Sequence, residues 1–244
     1  MCKGLTATFK RELVGYFQTP VAYVFIALFL LVSGSFTFYL GHFFERDKAD
    51  LTPFFDWHPW LFLFLIPAIA MRLWAEEKRT GTIEMLITLP VPLWEIVVGK
   101  FLAAWAFTGI TLFFTFPIWL TVNYLGSPDN GVIFGSYIGS LLMAGGFLSI
   151  GSLFSALTRN QVIAFVVSAA VCFAFTVTGF PMVINFFSGW LPQPVVETIS
   201  LFSVLGQFQD IERGIFEMRT LLYFVSLIVF FLFATLVALE GGKK

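Results

Sequence analysis

SYIGSLLMAGGFLSIGSLFSA, residues Ser136–Ala156, runs for 21 residues without an acid, a base or a histidine. As a helix rising 1.5 Å per residue it is about 31 Å long, close to the roughly 30 Å hydrocarbon core of a bilayer. Small residues recur four apart in and beside it: Gly135–Gly139, Ser140–Ala144, Gly145–Ser149, Gly151–Ser155 and Ser152–Ala156. That spacing lets a neighbouring backbone approach closely. The segment therefore reads as a membrane span packed on other helices.

Working outward, the same length test finds five further runs: Val21–Leu40, Pro59–Trp74, Ile96–Val122, Val162–Phe187 and Leu221–Leu239. Pro67 predicts a kink in the second span or a neighbouring helix that re-satisfies the carbonyl left without its donor. Six spans agree with composition: 58% apolar, 12% charged and 33 Phe in 244 residues, with a mean hydropathy of +0.88. Soluble domains are roughly a quarter charged. The fold class expected is all-α integral membrane, one transmembrane domain over residues 1–244. A net charge of −1 gives no electrostatic argument for nucleic acid. The first run starts after about twenty amphipathic residues and is too long for a signal h-region, so it reads as a retained span.

Lysine and arginine set the orientation. With the N-terminus inside, Lys3, Lys10, Arg11, Arg72, Lys78, Arg79, Lys100, Arg159, Lys243 and Lys244 fall inside, against Arg46, Lys48, Arg213 and Arg219 outside. The positive-inside rule then places both termini in the cytoplasm. Trp57, Trp60, Trp119, Tyr124 and Trp190 fall near the outer interface, Trp74 and Trp94 near the inner one. Arg72 and Lys100 lie close enough to span ends to snorkel.

Three segments stand outside the spans. Leu5, Phe9, Leu13, Tyr16 and Phe17 form an apolar stripe, with Lys10 and Arg11 off it; residues 1–20 read as an interfacial helix. In the loop 75–95, Lys78 and Arg79 complement the dipole ending span two, and Gly81 suits a left-handed C-cap. Thr82 then opens a short apolar helix, Ile83–Leu89, closed by Pro90; at two turns it needs a partner to order it. Residues 180–219, with Pro181, Trp190, Pro192 and Pro194 and an apolar run Val195–Phe208 broken by Glu197 and Gly206, read as re-entrant half-helices resting on protein.

Chemistry-bearing motifs are sparse. The chain has no GxxxxGK[ST] phosphate loop and no HExxH, CxxC or GxSxG; no metal site or catalytic residue is expected. Cys2 and Cys172 are not spaced as zinc ligands. His42 and His58 flank Glu45, Asp47, Asp50 and Asp56, read as a solvated loop ahead of a divalent-ion site. Ion-coupled transport needs ionisable groups at membrane depth, and the spans hold almost none. Energy for transport is expected from another polypeptide. A membrane-embedded enzyme would need paired polar groups inside the spans, and none is visible.

The stretch Glu76–Pro90 (EEKRTGTIEMLITLP), followed by Trp94–Lys100 (WEIVVGK), and the N-terminal Phe9-Lys-Arg-Glu-Leu with Tyr16, Phe17 and Pro20 resemble the ABC-2 type permeases of ABC transporters. Phe208–Phe216 (FQDIERGIF) with Tyr223-Phe224 resembles the family's gliding-motility-associated branch. The resemblance implies six spans, a dimer with a second copy or paralogue, and separate ATPase subunits that bind the ATP and magnesium. It also implies an N-terminal interfacial helix, a coupling helix between spans two and three, and re-entrant helices before span six. An auxiliary extracytoplasmic protein and a prokaryotic plasma (inner) membrane follow from the same likeness. Carried over, Thr82, Glu84, Met85, Leu86 and Pro90 form or delimit the helix that docks on the ATPase. Gly99 and Lys100 mark the cytoplasmic start of span three. Phe180, Pro181, Trp190 and Pro192 belong to an outer gate. Function is expected as an exporter permease; the alternative is a non-transporting anchor passing ATPase-driven motion to an outside partner.

Overall fold

The computed structural model describes residues 3–46, 48–87, 90–188, 192, 201–215 and 217–241. Among these every regular element is helical. Five helical stretches are long and apolar enough to cross a membrane: Pro20–Arg46, Thr52–Thr80, Leu93–Leu125, Asn130–Leu157 and Met218–Gly241. A sixth apolar helix, Gln161–Val177, has 17 residues, about 26 Å at 1.5 Å per residue. The expected fifth span reached Phe187. Instead a turn at Thr178–Gly179 precedes Phe180, and Pro181 opens a new helix, Pro181–Ser188.

The helices are labelled in chain order. The helix expected at the interface is α1 (Lys3–Gln18), and span one begins as α2 (Pro20–Ser35). A short α3 (Thr52–Phe55) leads into span two, which is α4 (His58–Ala70) continued by α5 (Arg72–Thr80); α6 (Thr82–Ile87) follows. Span three is α7 (Leu93–Phe113) then α8 (Phe116–Leu125); span four is α9 (Asn130–Leu157) and span five α10 (Gln161–Val177). After α11 (Pro181–Ser188) come α12 (Val204–Glu212) and span six, α13 (Met218–Gly241).

The small-residue helix α9 is the hub. A Cβ on Gly151 would stand 2.3 Å from Ala70 Cβ, one on Gly146 2.7 Å from Leu227 Cδ2, and one on Gly145 2.9 Å from Trp105 Nε1. Spans two, six and three thus meet α9 at contact distance because those side chains are missing. The regular helix runs past Pro67 to Ala70 and is interrupted at Met71. Span four serves the backbone at that interruption: Ser155 Oγ accepts from the backbone N–H of Trp74 and of Ala75, both at 3.0 Å, and donates to Met71 O at 2.9 Å. Without water these groups need protein partners.

Several expectations change. Trp74 is not an interfacial anchor: it is 1% exposed and its Nε1 donates to Ser152 Oγ at 3.0 Å. His58 is not in a solvated loop. It is fully buried, its Nδ1 is 2.8 Å from Ser140 Oγ, and Phe29, Phe54, Phe55 and Phe62 surround the ring. Lys78 does lie in the last turn of α5, with Arg79, and its Nζ also donates to Ala156 O, a terminal carbonyl of α9. Gly206 lies in the first turn of α12, where its N–H donates to the capping Ser203 Oγ. Trp190 and the run 193–200 lie outside the described residues.

Candidate coupling site

At one end of the bundle, three helices converge below spans two and three. The stalk α5 ends at Gly81, whose φ of +75° is the left-handed conformation a helix C-cap demands. This permits α6 to turn away immediately. Along α6, Thr82, Glu84 and Met85 face out, Met85 at 74% exposure, whereas Leu86 is 7% exposed and belongs to the chain's own core. The expected docking face therefore divides: Leu86 anchors the helix inward and Met85 with Glu84 remains outside. Residues 88–89 lie outside the described set, and Pro90 is exposed beyond them.

The stripe of α1 packs along α7. Tyr16 stacks on Phe107 at 5.0 Å between ring centroids, and Phe17 meets the same ring edge-on at 5.7 Å. Gly99 matters for closeness: a Cβ there would lie 3.0 Å from Thr8 Cβ. Buried Glu95 accepts from the Leu5 N–H at 2.9 Å, holding the first turn of α1. Lys10 and Arg11 stay exposed, as the stripe predicted.

Lys100 does not snorkel. It is 3% exposed, and its Nζ lies 2.7 Å from Glu77 Oε1 on the stalk and 3.2 Å from Glu12 Oε1 on α1. The ammonium also sits 5.3 Å from the centre of the Trp74 ring. A buried cation is tolerated because two carboxylates and an aromatic face replace its hydration. Burial works to raise the Glu12 carboxyl, yet Lys100 and Arg11 overcome it and hold the group below its ordinary value. The sequence showed these charges but not their meeting, for Glu12, Glu77 and Lys100 come from three separate segments.

The opposite end carries the remaining predicted residues. Phe180 packs on Trp60 at 5.9 Å, Pro181 starts α11, and Pro192 is exposed. The helix α12 rests chiefly on α9, where Ile211 Cδ1 would meet a Cβ on Gly139 at 2.9 Å. Beside it, Asp50, Asp129 and Glu212 line a cavity of about 90 Å³. Asp129 caps α9 through the N–H groups of Gly131 and Val132. Glu212 Oε1 and Asp50 Oδ1 are buried without a hydrogen-bond partner. Among the described residues no group of three or more His, Cys, Asp and Glu side chains is arranged to hold a metal ion.

Burial, reinforced by Asp56 and opposed by Arg213, pushes the Glu212 carboxyl up to about 8. An acid raised in the folded state is neutral at pH 7 and contributes stability below its unfolded value that is lost as pH rises through the folded one. The melting temperature of the purified protein is expected to fall as pH rises from about 4.5, the ordinary carboxyl value, to about 8, and to level off above it. Glu212→Gln should flatten that fall; an unchanged slope would remove Glu212 as its cause.

Together these features define a multi-pass, all-helical membrane protein with a stalk carrying a short helix at one end of the bundle. The chain belongs to the ABC-2 transporter family: the family described as "ABC-2 family transporter protein" matches residues 56–242, from the start of span two through span six. No curated protein matches the chain. Membership makes it the membrane component of an ABC transporter, a family whose membrane components generally work with an ABC ATPase.

Proposed function

We propose that this chain is the permease subunit of an ATP-driven exporter in a prokaryotic plasma membrane, with both termini and the α5–α6 projection in the cytoplasm. A separate ABC ATPase, which binds ATP and magnesium, docks on α6. A second copy or a paralogue completes the membrane unit, and an extracytoplasmic auxiliary protein meets the α11–α12 end. The observation that carries this reading is the exposed Met85 beside Glu84 on a helix fixed by Gly81 above and Leu86 within. A short helix held this way offers an apolar knob with an acidic rim, suited to a groove with basic edges. Phe180, Pro181, Trp190 and Pro192 belong, in this reading, to the far gate.

Topology and energy coupling are tested together. Cysteine replacing Asp129 should label with an impermeant maleimide in intact cells, and cysteine replacing Arg159 should not. The chain should copurify with an ABC ATPase, and vesicles holding both should carry out ATP-dependent flux. Reversed labelling would end the proposal. An ATPase complex with correct topology and no flux would favour a force-transmitting anchor.

A further inference from the structure

The stalk and the interfacial helix are fastened to different spans. The α5 stalk is bound to span four, through Ser155 on its backbone and through Lys78 on the Ala156 carbonyl. The α1 helix is bound to span three, through Glu95, Gly99 and the Phe107 ring. Lys100 ties α1 to the stalk: it is rooted on α7, pairs with Glu12 of α1 and, more closely, with Glu77 of the stalk. Glu77 Oε2 is buried with no hydrogen-bond partner, so the stalk carboxylate depends on Lys100 for its neutralisation.

Beyond its packing on span two, where Phe29 stacks on Phe62 at 5.8 Å, span one is thinly covered. Its apolar window is 22% buried, and it joins α1 through the single turn Thr19-Pro20, closed by the Thr19 N–H on Tyr16 O at 3.2 Å. Phe25 of α2 and Tyr16 and Phe17 of α1 share the Phe107 ring. Whatever moves α1 therefore moves the base of span one.

We infer that Lys100 is a positioning residue that locks the interfacial helix to the stalk, so that displacement of α6 reaches span one through α1 as well as span two directly. The inference rests on the reading of α6 as the ATPase-docking helix, but the lock itself exists in the permease alone. A buried ion pair gives modest net stability and a large penalty when one partner is removed. That combination suits a link that must not slip while the helices around it move.

Spin labels at Lys10→Cys on α1 and Arg79→Cys on the stalk, in a Cys2→Ser and Cys172→Ser background, read the lock by pulsed dipolar spectroscopy. The probe system is the permease in liposomes of phosphatidylethanolamine and phosphatidylglycerol. The native sequence and Lys100→Arg should give one narrow distance population. Lys100→Met should add a longer one, and so should Glu77→Gln, which keeps the Lys100–Glu12 pair and is the milder change. Unaltered distributions in both variants would overturn the lock. With the copurified ATPase trapped by MgATP and vanadate, the native distance should stay constant while that of Lys100→Met shifts. A native distance that changes on trapping would overturn rigid transmission. Failure of any ATPase to bind would count against the docking reading, and the first comparison would still decide the lock.

Discussion

Met85→Asp is expected to abolish association with the ATPase while leaving insertion, folding and thermal stability of the permease unchanged. Met85 is 74% exposed, and substitutions at such positions typically change stability by less than about 0.5 kcal/mol. In a complex the same side chain would be covered. Losing some 100 Å² of apolar contact costs about 2.5 kcal/mol, and a carboxylate in an apolar groove costs several kcal/mol more unless it finds a partner. At about 1.4 kcal/mol per tenfold, affinity should fall at least a hundredfold, read by copurification and by loss of permease-dependent ATP hydrolysis. Leu86→Asp is a contrasting variant. It places a charge in the permease's own core and should lower expression and melting temperature before any question of docking arises. If Met85→Asp binds normally, α6 is not the contact.

Gly151→Leu is expected to be the most damaging single change to the fold. Even a methyl at Gly151 would stand 2.3 Å from Ala70 Cβ, and both positions are buried on helix surfaces. Overpacking of this kind costs about 1–3 kcal/mol when a core can yield. Here the helices must separate, and separation also breaks the bonds of Ser155 to Trp74, Ala75 and Met71. Each neutral hydrogen bond lost adds about 1 kcal/mol, more where a buried group is left bare. Solubilised Gly151→Leu should aggregate in size-exclusion chromatography. Gly34→Leu, where nothing lies within 4 Å of the added Cβ, should behave as the native protein.

These two sites also mark what a reader of the sequence could and could not see. The uncharged run Ser136–Ala156 announced a span, and its small residues announced close packing, because both depend on local composition. Gly81 was legible for the same reason: a glycine after a charged helix end suits a left-handed cap whatever surrounds it. The stripe of α1 was legible because one of its faces meets polar surroundings and the other does not. Leu86, Trp74 and His58 were not. Inside a bilayer both lipid and neighbouring helix are apolar, so periodicity carries little information on which face meets protein. The Lys100 cluster was invisible for a further reason. Glu12, Glu77 and Lys100 each look like an ordinary charge at a span end, and only the folded chain joins them.

The central claim, that α6 is where an ABC ATPase grips this permease, is tested most directly by photo-cross-linking from inside cells. Replacing Met85 with p-benzoylphenylalanine puts a reactive group on the exposed side of α6. The same residue at Tyr124, also exposed but at the far end of the bundle, serves as reference. The account predicts a light-dependent adduct between position 85 and an ABC ATPase, with none from position 124. An ATPase adduct from position 124, or adducts from position 85 confined to lipid while the ATPase still copurifies, would contradict it.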